Sequence, residues 1–150
     1  MSRPLVAGLA VLCLVLAPCA RGAPAAQAIE PIDGLLSHAD VAAGQKAGRI
    51  CLTCHNVTKG GGTVIGPNLW NVVGRPHAAV PGFGYSSALK ATQARSWTYD
   101  ELNHWLYSPQ AYAPGTFMSF PGLKAAQDRA NVIAWLRTLS DHPQPLPNAQ

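Results

Sequence analysis

Apolar residues recur at helical spacing in two stretches of the C-terminal half and leave most of the remaining chain without a period. Val132, Ile133, Leu136 and Leu139 mark one stripe, which predicts a helix over about 125–140. Asp128 in its first turn and Arg137 near its end suit the helix dipole, and Trp135 flanks the stripe. Leu102, Trp105 and Leu106 mark a second, shorter helix. It opens at a capping box, with Thr98 as the cap and Glu101 reaching back, and Pro109 ends it. A third helix is predicted from Ala39 or Asp40 to Ile50, with Asp40 at its positive end. Gly44 and Gly48 fall four apart on one of its faces. Each glycine costs a helix roughly 1 kcal/mol against alanine, so the pair points to close approach of another element.

Between these helices the chain is punctuated. Gly60-Gly61-Gly62, Gly66-Pro67-Asn68 and Pro81-Gly82 are turn signals. Residues 112–121 form a loop with two prolines and a glycine. No alternating pattern of useful length marks a strand. The expected class is therefore all-α, with three main helices joined by long loops. So loop-rich a chain buries little core unaided, which leaves room for a cofactor at its centre.

The first 28 residues stand apart. Arg3 is followed by an uncharged, mostly apolar run from Pro4 to Ala20, then small residues and the A-x-A site Ala26-Gln27-Ala28. That is the layout of a secretory signal peptide cut before Ile29. The run is short for a membrane span, which needs about 20 apolar residues. Residues 29–140 form the single expected domain, and the proline-punctuated 141–150 a disordered tail. The full chain carries 11 Lys plus Arg and 7 Asp plus Glu. Residues 1–28 contain Arg3, Arg21 and no acid, so the mature chain is weakly basic. Nucleic acid is not an expected partner, since it calls for a concentrated basic face. Membrane contact of the mature chain is expected only as transient docking.

Cys51-Leu52-Thr53-Cys54-His55 carries the chemistry. Two cysteines two apart with histidine next is the attachment signature of c-type haem. The thiols of Cys51 and Cys54 would add to the two haem vinyls, and His55 would ligate the iron. A structural zinc site needs four ligands, and Cys13 and Cys19 lie in the leader. A thiol-exchange pair belongs near a βαβ pattern, which is absent from the sequence. Export agrees with thioether attachment outside the bacterial inner membrane. For the second axial ligand, Met118 is the only methionine beyond Met1. It sits in the stiff Pro114-Gly115-Thr116-Phe117-Met118 loop, an odd place for core filler. His104, beside Trp105, is the histidine alternative, while His38, His77 and His142 read as exposed. An open sixth position, as in a haem sensor or peroxidase, is the third option.

Several motifs in order then resemble the class I cytochromes c, small monohaem proteins of bacteria and mitochondria. They are the haem signature, Gly66-Pro67-Asn68-Leu69, Gly74-Arg75, Pro81-Gly82-Phe83-Gly84-Tyr85, Trp97, Tyr112-Ala113-Pro114-Gly115-Thr116-Phe117-Met118 and Ile133-Ala134-Trp135-Leu136. The resemblance spans roughly residues 40–139. It implies the cytochrome c fold wrapped round one covalent haem c, with iron held by His55 and Met118. It also implies that the Pro67 carbonyl fixes the His55 ring. Tyr85 and Trp97 would donate to a haem propionate with Arg75 close by, and Thr116 would bond near the inner propionate. Tyr112 would pack beside the ligand loop. Gly44 would meet the Val132/Trp135 face where the terminal helices cross.

The chain departs from the family at Gly48, where an aromatic is usual and where Trp135 is expected to fill the space. It departs at Trp105, where a tyrosine commonly bonds the methionine sulfur. Phe117 and Ile50 stand in place of docking lysines. The implied function is electron transport, not enzymatic catalysis, between redox protein partners in a bacterial periplasm. The chain would act as a monomeric shuttle or as the fixed haem subunit of a dehydrogenase heterodimer.

Overall fold

The computed structural model describes residues 28–147; the leader expected over 1–28 lies, apart from Ala28, outside the described residues. Six α-helices follow in order: α1 (Asp33–Leu36), α2 (Val41–Ala47), α3 (Ser87–Lys90), α4 (Tyr99–Tyr107), α5 (Pro109–Tyr112) and α6 (Ala126–Thr138). A 3-10 segment, Gly48–Thr53, continues α2. Among the described residues the only extended pairing is one antiparallel bridge, Pro76 to Ser96. The all-α expectation holds. The three predicted helices are α2, α4 and α6, and the four-residue helices α1, α3 and α5 were not predicted.

Asp40 caps α2 by accepting from the amides of Ala42 (2.8 Å) and Ala43 (3.0 Å). Its own amide donates to Asn131 Oδ1 at 3.0 Å, so the cap also ties α2 to α6. The glycine pair does what its spacing suggested. A Cβ on Gly44 would lie 1.9 Å from the Asn131 carbonyl oxygen, so the two backbones touch. The crossing uses Asn131 and the Trp135 Cβ, where the sequence reading named Val132 with Trp135. A Cβ on Gly48 would lie 2.3 Å from the Trp135 ring. Trp135 therefore fills the space left by Gly48, as expected. The predicted helix end at Ile50 needs correction. The α-helix stops at Ala47 and tightens, so that the amides of Cys54 and His55 both return to the Cys51 carbonyl (3.1 and 2.9 Å).

At α4, Thr98 caps as predicted, its hydroxyl accepting from the Glu101 amide at 3.1 Å. The other half of the capping box does not form. The Glu101 carboxylate turns to Arg95 and to the Tyr112 hydroxyl, and the Thr98 amide donates to the Ser96 carbonyl. Two better donors outcompete one backbone N–H. A second polar contact hidden from pattern reading is Arg129, 1 % exposed within α6. It donates to Asn103 Oδ1 (2.6 Å) and to the carbonyls of Leu123 (3.0 Å) and Lys124 (2.7 Å). Asn103 in turn donates to the Glu30 carbonyl at 2.9 Å. A buried guanidinium is tolerated because its donors find acceptors.

Of the tail expected to be disordered, 141–150, residues 148–150 lie outside the described residues, and hydrogen bonds and an ion pair join 141–147 to the body. The Gln144 carbonyl accepts from the Tyr99 hydroxyl at 3.0 Å and from Arg137, and Asp141 pairs with Lys59 at 2.9 Å. Backbone carbonyls of a proline-rich strand have few internal donors, so two side-chain donors suffice to hold it. Among the described residues no helix is long and apolar enough to cross a membrane.

Candidate haem centre

The loops close over a cavity of about 370 Å³, adjoined by a smaller one of about 80 Å³. Cys51, His55, Tyr85, Leu89, Trp105 and Met118 face both. Cys54 and Thr116 line the larger; Pro67, Arg75 and Trp97 line the smaller. All nine residues singled out from the sequence thus converge on one connected space.

The 3-10 segment brings Cys51 and Cys54 to the cavity as free thiols. Burial pushes the Cys51 thiol above its usual range. His55 is held with little freedom. Its Nδ1 lies 2.7 Å from the Pro67 carbonyl. A carbonyl can only accept, so Nδ1 carries the proton and Nε2 keeps its lone pair. Burial lowers the His55 pKa, the Pro67 bond opposes that, and Arg75 adds to it; the imidazole is kept neutral, the ligating form. Gly66 completes the support. A Cβ there would sit 2.4 Å from the His55 ring, and its amide donates to the Cys54 carbonyl at 2.7 Å. Asn68 holds the same loop through bonds to the carbonyls of Thr58 (2.9 Å) and Gly61 (2.6 Å).

Met118 enters from the loop after α5. Gly115 takes φ +90°, which glycine adopts freely, and the Thr116 amide closes the turn onto the Ala113 carbonyl at 2.9 Å. Trp105 of α4 shares the cavity wall with Met118, in keeping with its expected place near the sulfur. His104, the histidine alternative, does not reach the cavity. Its Nδ1 bonds the Asp100 carbonyl at 2.9 Å on the exposed face of α4. His77, read as exposed, is 1 % exposed. Its ring stacks on Trp97, centroids 3.8 Å apart, and Nδ1 meets the Thr92 hydroxyl at 2.9 Å. Its neighbours Pro76, Ala78 and Ala79 form no apolar period and gave no sign of that burial.

The space suits a haem. Leu89, Trp105, Ile65, Phe83 and Phe120 supply apolar walls. Two thiols, a free imidazole nitrogen and a thioether supply the attachment and ligand atoms. Arg75, part-buried, donates to the carbonyls of Asn68 (2.9 Å) and Trp70 (3.1 Å) but has no carboxylate partner among the described residues. Burial lowers its pKa, and a propionate beside it would offset that cost. Leu89, Ile65 and Phe120 were not singled out from the sequence, and Phe83 stood there only as part of a family motif. The Ser86 side chain capping α3 onto the Leu89 amide (3.2 Å) was the available signal for Leu89. The zinc alternative lacks ligands: no cluster of three or more His, Cys, Asp or Glu exists among the described residues.

A cytochrome c homolog of Bradyrhizobium diazoefficiens is 44% identical over 129 residues, spanning 85% of this chain and 70% of that protein. The chain belongs to the class I cytochrome c family. The cytochrome c-type cyt cy of Rhodobacter capsulatus is 48% identical over 101 residues, covering 67% of this chain and 49% of its own length. Among solved structures, cytochrome cH from Methylobacterium extorquens superposes with a TM-score of 0.61 at 37% identity, over 66% of this chain and 98% of that one. No family model matches the chain. As a cytochrome c, the protein is an electron-transfer protein carrying covalent haem c, and its class carries electrons without acting as an enzyme.

Proposed function

We propose that this cytochrome c is an exported, periplasmic one-electron carrier, its haem bonded to Cys51 and Cys54 and its iron ligated by His55 and Met118. One observation carries the reading: both thiols, the imidazole with its free Nε2 and the only methionine beyond Met1 face the same cavity. When bound, the haem supplies a reversible one-electron change at iron, and a Met/His pair holds its potential high. The protein's part is to keep that ligand pair the same in both redox states and to exclude water. Pro67 and Gly66 fix the imidazole. Tyr85, Trp97 and Arg75 receive one end of the porphyrin and its propionate charge, and Thr116 lies beside Met118.

Electrons would pass where the cavity opens. Its lining includes Ile50, Ile65 and Phe117, which are 55%, 72% and 74% exposed, and among the described residues no charged side chain lines it. Redox encounters are small in area, so docking here rests on apolar contact rather than on charge steering. The test is the rate of electron transfer to the natural partner as ionic strength rises. A nearly flat profile is expected; a steep fall between low and moderate salt would overturn the docking model. The same apolar rim supports a second reading, a haem subunit fixed to a periplasmic dehydrogenase, for which a lasting partner makes steering unnecessary. Co-purification of a larger subunit from the native periplasm separates the two.

A further inference from the structure

The segment that carries Met118 is sparsely tied. Among the described residues, no backbone group of residues 117–122 makes a backbone–backbone hydrogen bond. The Met118 amide reaches only the hydroxyl of Thr116, at 3.5 Å. Downstream the loop is anchored at Leu123, whose amide donates to the Leu106 carbonyl at 2.7 Å, and by the Arg129 guanidinium. Upstream, beyond the bond from the Ala113 amide to the Pro109 carbonyl (2.9 Å), the turn Ala113–Thr116 has one further tether. It is the side-chain amide of Gln110 in α5. Its Nε2 donates to the Thr116 carbonyl at 2.8 Å, and its Oε1 accepts from the Gly115 amide at 3.3 Å. A side-chain amide carries a donor and an acceptor side by side, so it can bridge two adjacent peptide groups in this way. The residue is exposed; its bond to the Gly115 amide competes with water, while its bond to the Thr116 carbonyl is part-buried.

We propose that Gln110 is a positioning residue for the sixth ligand: its two-point clamp on Gly115 and Thr116 sets how often Met118 leaves the iron. The inference rests on Met118 being that ligand. Gln110 touches neither the iron nor the haem; it acts through the backbone two residues before the sulfur. Loss of the clamp loosens the upstream arm of a loop that has no backbone–backbone hydrogen bond between 117 and 122. The fold at large loses little, because the clamp lies outside the core.

The test uses the mature holoprotein and its Gln110→Ala and Gln110→Glu variants. Imidazole is titrated into the ferric form, since it can bind only when the methionine has left. Two hydrogen bonds of ordinary strength, one exposed and one part-buried, correspond to a rise in imidazole affinity of roughly tenfold for Gln110→Ala. Gln110→Glu keeps the acceptor for Gly115 and loses the donor to Thr116, so it should fall between alanine and wild type. Hydrogen exchange at the Gly115 amide should quicken in Gln110→Ala while exchange in α6 and the thermal midpoint stay near wild type. Unchanged imidazole affinity in both variants, with the sulfur-to-iron charge-transfer band present, would overturn the role of Gln110 alone. A wild-type protein that lacks that band would overturn the ligand assignment instead.

Discussion

His55 and Met118 face the same cavity from supports of unlike strength. Behind His55, the Cys51 carbonyl takes two amides, the Cys54 carbonyl takes those of Ile65 (3.1 Å) and Gly66 (2.7 Å), and Pro67 holds the ring. Asn56 and Asn68 cross-link the same loop. Behind Met118, six consecutive residues lack backbone partners and one exposed glutamine steadies the approach. The difference fits the two bonds. An imidazole that directly follows the two attachment cysteines belongs to a rigid anchor. A thioether on a loop depends on how often that loop opens, because local opening free energy follows the density of contacts.

The contrast can be broken most forcefully on the His55 side. Gly66→Ala places a carbon 2.4 Å from the imidazole with its own backbone pinned to Cys54. Overpacking of this kind should cost about 3 kcal/mol, read by denaturant unfolding of the holoprotein. A variant as stable as wild type would show that this wall yields after all. Next comes Gly48→Phe. With the Trp135 ring already in the space, stability should drop by about 2 kcal/mol; a gain would mean the space is open.

Met118→Ala should be milder for the fold, about 1–2 kcal/mol for a part-buried methionine. It should nonetheless open the sixth position to imidazole and lower the reduction potential. If unfolding instead costs as much as Gly66→Ala, the two walls are equally braced. The smallest effect concerns His77, behind Trp97. Burial, the largest influence, lowers its pKa from 6.5, with Glu101 opposing. The unfolded chain therefore takes up this proton first as pH falls. The linked stability is complete above about pH 6.5 and is lost below it. Thermal midpoints of His77→Gln should show a shallower decline from pH 7 to 5 than wild type, and an identical slope would remove His77 from the account.

The haem signature, the ligand loop and the three principal helices were legible because each is written locally. Covalent attachment needs one fixed spacing, and α2, α4 and α6 carry a cap or a stripe. The Gly48–Trp135 fit was legible as an unfilled volume beside an oversized ring. What escaped is tertiary. Four-residue helices such as α3 are too short to show a period. Arg129 and Asn103 interrupt apolar faces, and their burial is tolerable only through their mutual hydrogen bond and their bonds to the Leu123, Lys124 and Glu30 carbonyls. Glu101 left its capping box for Arg95 and Tyr112, neighbours that a linear reading places elsewhere. His77 became core only because Trp97 and Thr92 close on it.

The most direct measurement is the visible spectrum of the purified ferric holoprotein beside Met118→Ala. Wild type should show the sulfur-to-iron charge-transfer band and the variant should lack it, with both retaining the haem after denaturation. A wild-type spectrum without that band, or one that Met118→Ala leaves unchanged, would contradict the pairing of His55 with Met118.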